Sequence, residues 1–123
     1  MSHSVLVVDD EPNILLSLEF LMKQEGYDVR VANNGDQALS AVKEAKPDLV
    51  LLDIMMPEPD GYAVCKAIRE DPALADVHII MLTAKGRDSE REQGIAAGAS
   101  DFITKPFSNR DVIDRVGALL GGN

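Results

Sequence analysis

Five side chains suited to handling a charged group stand where apolar runs stop. Asp9 and Asp10 follow Val5–Val8, Asp53 follows Leu49–Leu52, Thr83 follows Val77–Leu82, and Lys105 follows Phe102–Thr104. Each type is ordinary by itself, since an Asp often caps a turn and a Lys often decorates a surface. Brought together, they define a chemistry. Three crowded carboxylates repel one another and would take up protons unless compensated. A divalent cation resolves that conflict, and with hard oxygen donors and no His or Cys nearby, magnesium is the fitting ion. A Lys ammonium and a Thr hydroxyl beside it can neutralise and hydrogen-bond phosphoryl oxygens. Asp53, at the centre, can then be the in-line nucleophile that forms an acyl phosphate. The pattern Gly-x-x-x-x-Gly-Lys occurs nowhere, which disfavours nucleotide hydrolysis.

For residues so far apart to meet, the runs before them must be neighbouring strands pointing the same way. The stretch Asp48–Pro57 supports this: its apolar middle, bounded by Pro47 and Pro57, reads as a strand buried on both faces at the centre of a parallel sheet. Ligands of such sheets collect outside the carboxyl ends of the strands, where Asp53 falls. Pro12 marks a helix start, with Ile14, Leu15, Leu18, Leu21 and Met22 on one stripe and Gly26 as its stop. Tyr27, Val29 and Val31 alternate as in a less buried strand, and Asn33-Asn34-Gly35 turns the chain. Ala38, Leu39 and Val42 mark a second helix ending before Pro47, and Tyr62 to Glu70 a third after the stiff loop Pro57–Gly61. The strand Val77–Leu82 leads to Arg87–Ala97, a helix-length segment with little beyond Ile95 and Ala96 to bury. Gly98 caps it. After Phe102–Thr104, Val112, Ile113, Val116, Leu119 and Leu120 predict a last helix reaching Gly121-Gly122.

The pattern is βα repeated five times, with connections short enough to demand parallel strands and right-handed crossovers. We therefore expect an α/β fold, a flavodoxin-like doubly wound (βα)5 three-layer sandwich with strand order 2-1-3-4-5. The second strand ends in the uncharged Ala32-Asn33 and would lie at the edge. Charged or hydroxyl ends thus belong to the strands that converge, and the one that does not converge lacks them.

Composition bounds the rest. The 123 residues suit one domain, 1–123, and a 46% apolar but only 4% aromatic content calls for an aliphatic core. A net charge of −9 repels nucleic-acid backbones, so no direct nucleic-acid partner is expected. No run approaches membrane-spanning length and no signal peptide is seen, so the expectation is a cytoplasmic protein without a membrane partner. The single Cys65 excludes an internal disulfide and reads as a small core residue.

Several segments together resemble the response-regulator receiver domains of two-component signal transduction, CheY-like proteins, over essentially the whole chain. They are Val7–Pro12, Leu51–Pro57 with Asp60-Gly61, Leu82–Ala84, and Gly98–Phe107. The resemblance implies phosphotransfer from a sensor histidine kinase or a histidine phosphotransfer protein to Asp53, the phosphoacceptor. It implies magnesium, with manganese as a substitute, held by Asp9, Asp10, Asp53 and the backbone carbonyl of Met55. Thr83 and Lys105 would contact the phosphoryl group, and Lys105-Pro106 would be a cis peptide. A shift of Thr83 and inward rotation of Phe102 would form the switch; many relatives carry Tyr where this chain has Phe102, so the hydroxyl that favours either orientation is missing. Met55 and Lys85 occupy positions that modulate the phosphoryl lifetime in such domains, and Pro59 departs from the usual loop by stiffening it. The resemblance makes the chain a phosphorylatable switch with self-catalysed phosphotransfer and autodephosphorylation, not a turnover enzyme.

The output surface implied is the face of the fourth helix, fifth strand and fifth helix, which would control a downstream protein or an output domain. Arg91, Asp111 and Arg115 match charged positions of the DNA-binding branch, but Ala97 and Ser100 stand where acidic partners are expected, which points to a monomer or weak dimer. Gly121-Gly122-Asn123 reads as a tail and favours a stand-alone receiver, with a receiver cut from a longer regulator as the alternative. An aspartate-nucleophile phosphatase would show Asp-x-Asp, whereas Asp53 is followed by Ile54-Met55.

Overall fold

A computed structural model describes residues 3–84 and 88–121. Five strands and five helices alternate: β1 Ser4–Val8, α1 Pro12–Gln24, β2 Asp28–Ala32, α2 Gly35–Glu44, β3 Leu49–Asp53, α3 Gly61–Glu70, β4 His78–Ala84, α4 Asp88–Ala97, β5 Asp101–Lys105 and α5 Asn109–Leu120. The strands form one parallel sheet of order β2-β1-β3-β4-β5, the topology expected from the sequence. All five residues of β3 are buried because β1 and β4 flank it and helices cover both faces. β2, at the edge, has only Ala32 buried.

The sheet divides the core. On one face Leu6, Val8, Val50, Leu52, Ile79 and Met81 pack against α2, α3 and α4; on the other Val5, Val7, Leu49, Leu51, Ile80 and Leu82 pack against α1 and α5. This alternation along each strand follows from the two-residue period of β structure. Each Leu or Ile so buried contributes about 1.5–3 kcal/mol from apolar area, and an aliphatic core suffices.

Local signals set the helix boundaries. Pro12 opens α1, and Gly26, at φ 89°, follows its last turn in the left-handed region. Asn34 caps α2 by accepting from Gln37 N, Asp60 caps α3 by accepting from Ala63 N, and Ser108 caps α5 by accepting from Asp111 N. Glu11, the cap of α1, makes no side-chain cap bond.

Two expectations shift. β4 runs beyond Leu82 through Thr83 and Ala84, because both continue the register with β5 opposite Thr104 and Lys105. In α4, Ile95 is 63% exposed and Ala96 is also exposed; Glu90 and Gly94 are the buried positions. Arg69, near the end of α3, joins three segments: it donates to the carbonyls of Gly98 (2.8 Å), Val77 (2.5 Å) and Ala75 (3.1 Å) and to Ser100 Oγ (3.2 Å).

Candidate functional site

Asp9 comes directly after β1, and its Oδ1 accepts from Glu11 N (2.9 Å), which sets the carboxylate against the start of α1. Asp10 beside it is exposed. Asp53, the last residue of β3, is only 2% exposed, and its Oδ1 accepts from Met55 N (3.3 Å). A carboxylate oxygen from each of Asp9, Asp10 and Asp53 lies within 4.8 Å of the others. Lys105, closing β5, reaches between two of them, with Nζ 3.2 Å from Asp9 Oδ2 and 3.1 Å from Asp53 Oδ1.

One ammonium against three carboxylates leaves the cluster negative. Burial, and then the charge of Asp9, push the Asp53 carboxyl up to about 6, although Lys105 and the Met55 N–H pull the other way. Burial works against the charge on Lys105, yet Asp53 and Asp9 outweigh it and hold the ammonium above its ordinary range. The donors are hard oxygens gathered from two strand ends, and the Asp53 carboxyl is held back from ionising first by burial and then by Asp9. That donor set fits magnesium or manganese.

Thr83 is buried near the end of β4, on the sheet face that carries Met81. Phe102, opposite Met81, packs in the same core cluster and is 6% exposed, with the Arg91 guanidinium 5.0 Å from its ring centroid. Met55 follows Asp53 by two residues and is 63% exposed. Lys105-Pro106 is cis, as is Glu58-Pro59. Lys85 and the helix start expected at Arg87 lie outside the described residues. Cys65 is buried away from the site, where desolvation pushes its thiol up to about 11, as befits a core side chain. A mostly apolar cavity of about 420 Å³, lined by Ile14, Ala84, Lys105, Pro106 and Phe107, borders the site.

Two residues that support this arrangement are given no role of their own by the sequence reading. Gly61 opens α3 so close to β3 that a β-carbon would lie 2.5 Å from the Asp53 carbonyl oxygen. Gly61 N also donates to Ile54 O (3.1 Å), so the helix start braces the backbone of Asp53. Glu90, buried on α4, accepts from Ala84 N (3.0 Å), and its carbonyl accepts from the Tyr62 hydroxyl (3.3 Å). It fixes the residue after Thr83. Acidic residues in a first helical turn are common, so nothing in the sequence sets Glu90 apart.

Residues 5–117 match the family described as response regulator receiver domain. The chain is 51% identical over 116 residues to the transcriptional regulatory protein ResD of Bacillus subtilis (strain 168), covering 94% of this chain and 47% of that protein. It thus spans about half the length of that relative. Among solved structures, a putative response regulator from Chloroflexus aurantiacus J-10-fl superposes with TM-score 0.94 at 36% identity, covering 98% of this chain and 99% of that one. The chemotaxis response regulator CheY4 of Vibrio cholerae does so with TM-score 0.92 at 28% identity, over 97% and 99%. Strand order, the acidic strand ends and these likenesses agree: the chain belongs to the response regulator receiver domain family.

Proposed function

We propose that residues 1–123 form one receiver domain that accepts a phosphoryl group on Asp53 from a phosphohistidine of a sensor histidine kinase or phosphotransfer protein. The observation that carries this reading is the meeting of Asp9, Asp10 and Asp53 within 4.8 Å, with Lys105 Nζ 3.1 Å from Asp53 Oδ1. Asp9, Asp10, Asp53 and the Met55 carbonyl would hold magnesium. When bound, that ion supplies the positive charge that keeps Asp53 ionised and offsets the charge of the incoming phosphoryl oxygens. The Asp53 carboxylate attacks phosphorus in line, the P–N bond to imidazole breaks, and the imidazole leaves with a proton. The Lys105 ammonium, already between Asp9 and Asp53, neutralises the product's oxygens, and the Thr83 hydroxyl donates to one of them. Thr83 and Phe102 then form the switch, and Met55 sets water access to the acyl phosphate.

The output face would be α4, β5 and α5. Arg115 there pairs with Asp101 (3.0 Å) and Asp111 (3.1 Å) of its own chain, which supports a monomer or weak dimer. The likeness to a transcriptional regulatory protein supports a receiver that governs a transcriptional output over one that acts alone. Among the described residues no helix is long and apolar enough to cross a membrane, and the net charge of −9 keeps this domain itself off nucleic acid. A cytoplasmic site of action follows from a kinase partner.

Incubation with magnesium and acetyl phosphate, followed by intact-mass measurement, tests the reading. Wild type should gain the mass of one phosphoryl group, while Asp53→Ala and magnesium-free samples should not. An equal gain in Asp53→Ala would overturn the assignment.

A further inference from the structure

Gly94 lies in the middle of α4 and is one of only two buried positions on that helix. Glycine in a helix interior weakens it relative to alanine, so its presence there needs a reason. Its backbone conformation is not that reason, because among the described glycines only Gly26, Gly98 and Gly121 have positive φ. Space is. A β-carbon at Gly94 would lie 2.6 Å from Phe102 Cε1, 3.0 Å from Phe102 Cζ and 3.0 Å from Met81 Sδ. The Met81 contact, at 3.0 Å, asks only a few tenths of an ångström of a flexible thioether. The Phe102 ring can give, by changing its side-chain rotamer. At present the ring lies beneath α4, and the Arg91 guanidinium, 5.0 Å from its centroid, interacts with it from the same helix.

The helix also packs beside α3. Ile95 points to solvent, and Glu90 is engaged with the Ala84 amide. Gly94 meets the core through the ring and Met81, and Ala97 packs on the same core cluster.

We propose that Gly94 is a positioning residue for Phe102. It opens the slot that admits the ring beneath α4, and the inward position of the Phe102 switch depends on that slot. The slot stands on packing alone; its signalling consequence rests on the receiver reading above.

The test is a cycle of four proteins: wild type, Gly94→Ala, Phe102→Ala and the double variant. Fluorophenylalanine labelling reports ring environment, with the Phe102 signal assigned by its loss in Phe102→Ala. Gly94→Ala should move the Phe102 resonance to that of a solvent-exposed ring and lower the urea midpoint. In the Phe102→Ala background the same change should raise the midpoint, because the clash is gone and alanine favours the helix. A midpoint change of the same sign in both backgrounds, or an unmoved Phe102 resonance, would overturn the slot. Acetyl phosphate labelling in parallel separates the two readings. No mass gain in wild type would sink the receiver assignment while the fluorine and urea results still decide the slot.

Discussion

Replacing Asp53 by Asn should stabilise the metal-free protein, although it removes the proposed phosphoacceptor. Asp53 is nearly inaccessible, and its carboxyl is raised from 3.8 to about 6 by burial and by Asp9. In the unfolded chain it returns to an ordinary value, so between those two limits the native state binds more protons than the unfolded one. Stability therefore falls as pH rises through that window, then levels off above it. A displacement of about 2 pKa units corresponds to a penalty of about 3 kcal/mol at neutral pH. Asparagine carries no charge to desolvate, and its carbonyl oxygen can still accept from Met55 N and Lys105 Nζ, which retains Asp9 as its ion-pair partner. After allowing for amide burial, the expected gain is about 1–3 kcal/mol near neutral pH. The assay is urea unfolding followed by circular dichroism in excess chelator across the acid-to-neutral range. The two proteins should converge at the acid end and diverge as pH rises, and added magnesium should stabilise wild type more than the variant. A variant less stable than wild type at neutral pH, or a pH-independent gap, would refute the electrostatic account.

Lys105→Met removes the ammonium between Asp9 and Asp53; it should lower metal-free stability by about 1–3 kcal/mol and raise the Asp53 carboxyl further, which carboxyl carbon NMR titration would read. Gly61→Ala places a β-carbon against the Asp53 carbonyl, where backbone cannot retreat, and should cost about 1–3 kcal/mol in urea unfolding while slowing labelling by acetyl phosphate. Glu90→Leu leaves the Ala84 amide without its acceptor and should cost about 1–3 kcal/mol; Glu90→Gln should restore most of that, and exchange of the Ala84 amide distinguishes the two. Asp60→Ala deletes the cap on Ala63 N and should cost about 1 kcal/mol of thermal or urea stability.

Much of the fold is legible because one physical cause wrote it at each place. The unbroken run of β3 reflects burial on both faces, Pro12 a helix start, and Ala32-Asn33 an edge that converges on nothing. The carboxylates and Lys105 are legible as a set because topology alone brings them to one end of the sheet. What escapes the sequence is set by partners far along the chain. β4 continues past its apolar residues because β5 supplies register for Thr83 and Ala84. α4 buries a glutamate and a glycine because an amide of β4 needs an acceptor and a ring of β5 needs room. Apolar spacing carries no trace of either. Gly61 reads as part of a loop until the backbone of Asp53 is seen pressed against it.

α4 is held at both ends. Its C-terminal side is bolted through Gly98 to α3 and to the turn before β4, while its first turn is tied to β4 by the Glu90 carboxylate on the Ala84 amide. Arg69 is thus one clamp shared by the end of α4, the turn before β4 and the residue before β5. A lysine in place of Arg69 keeps the charge but not the planar fork that spans three carbonyls and a hydroxyl, so it would release that clamp.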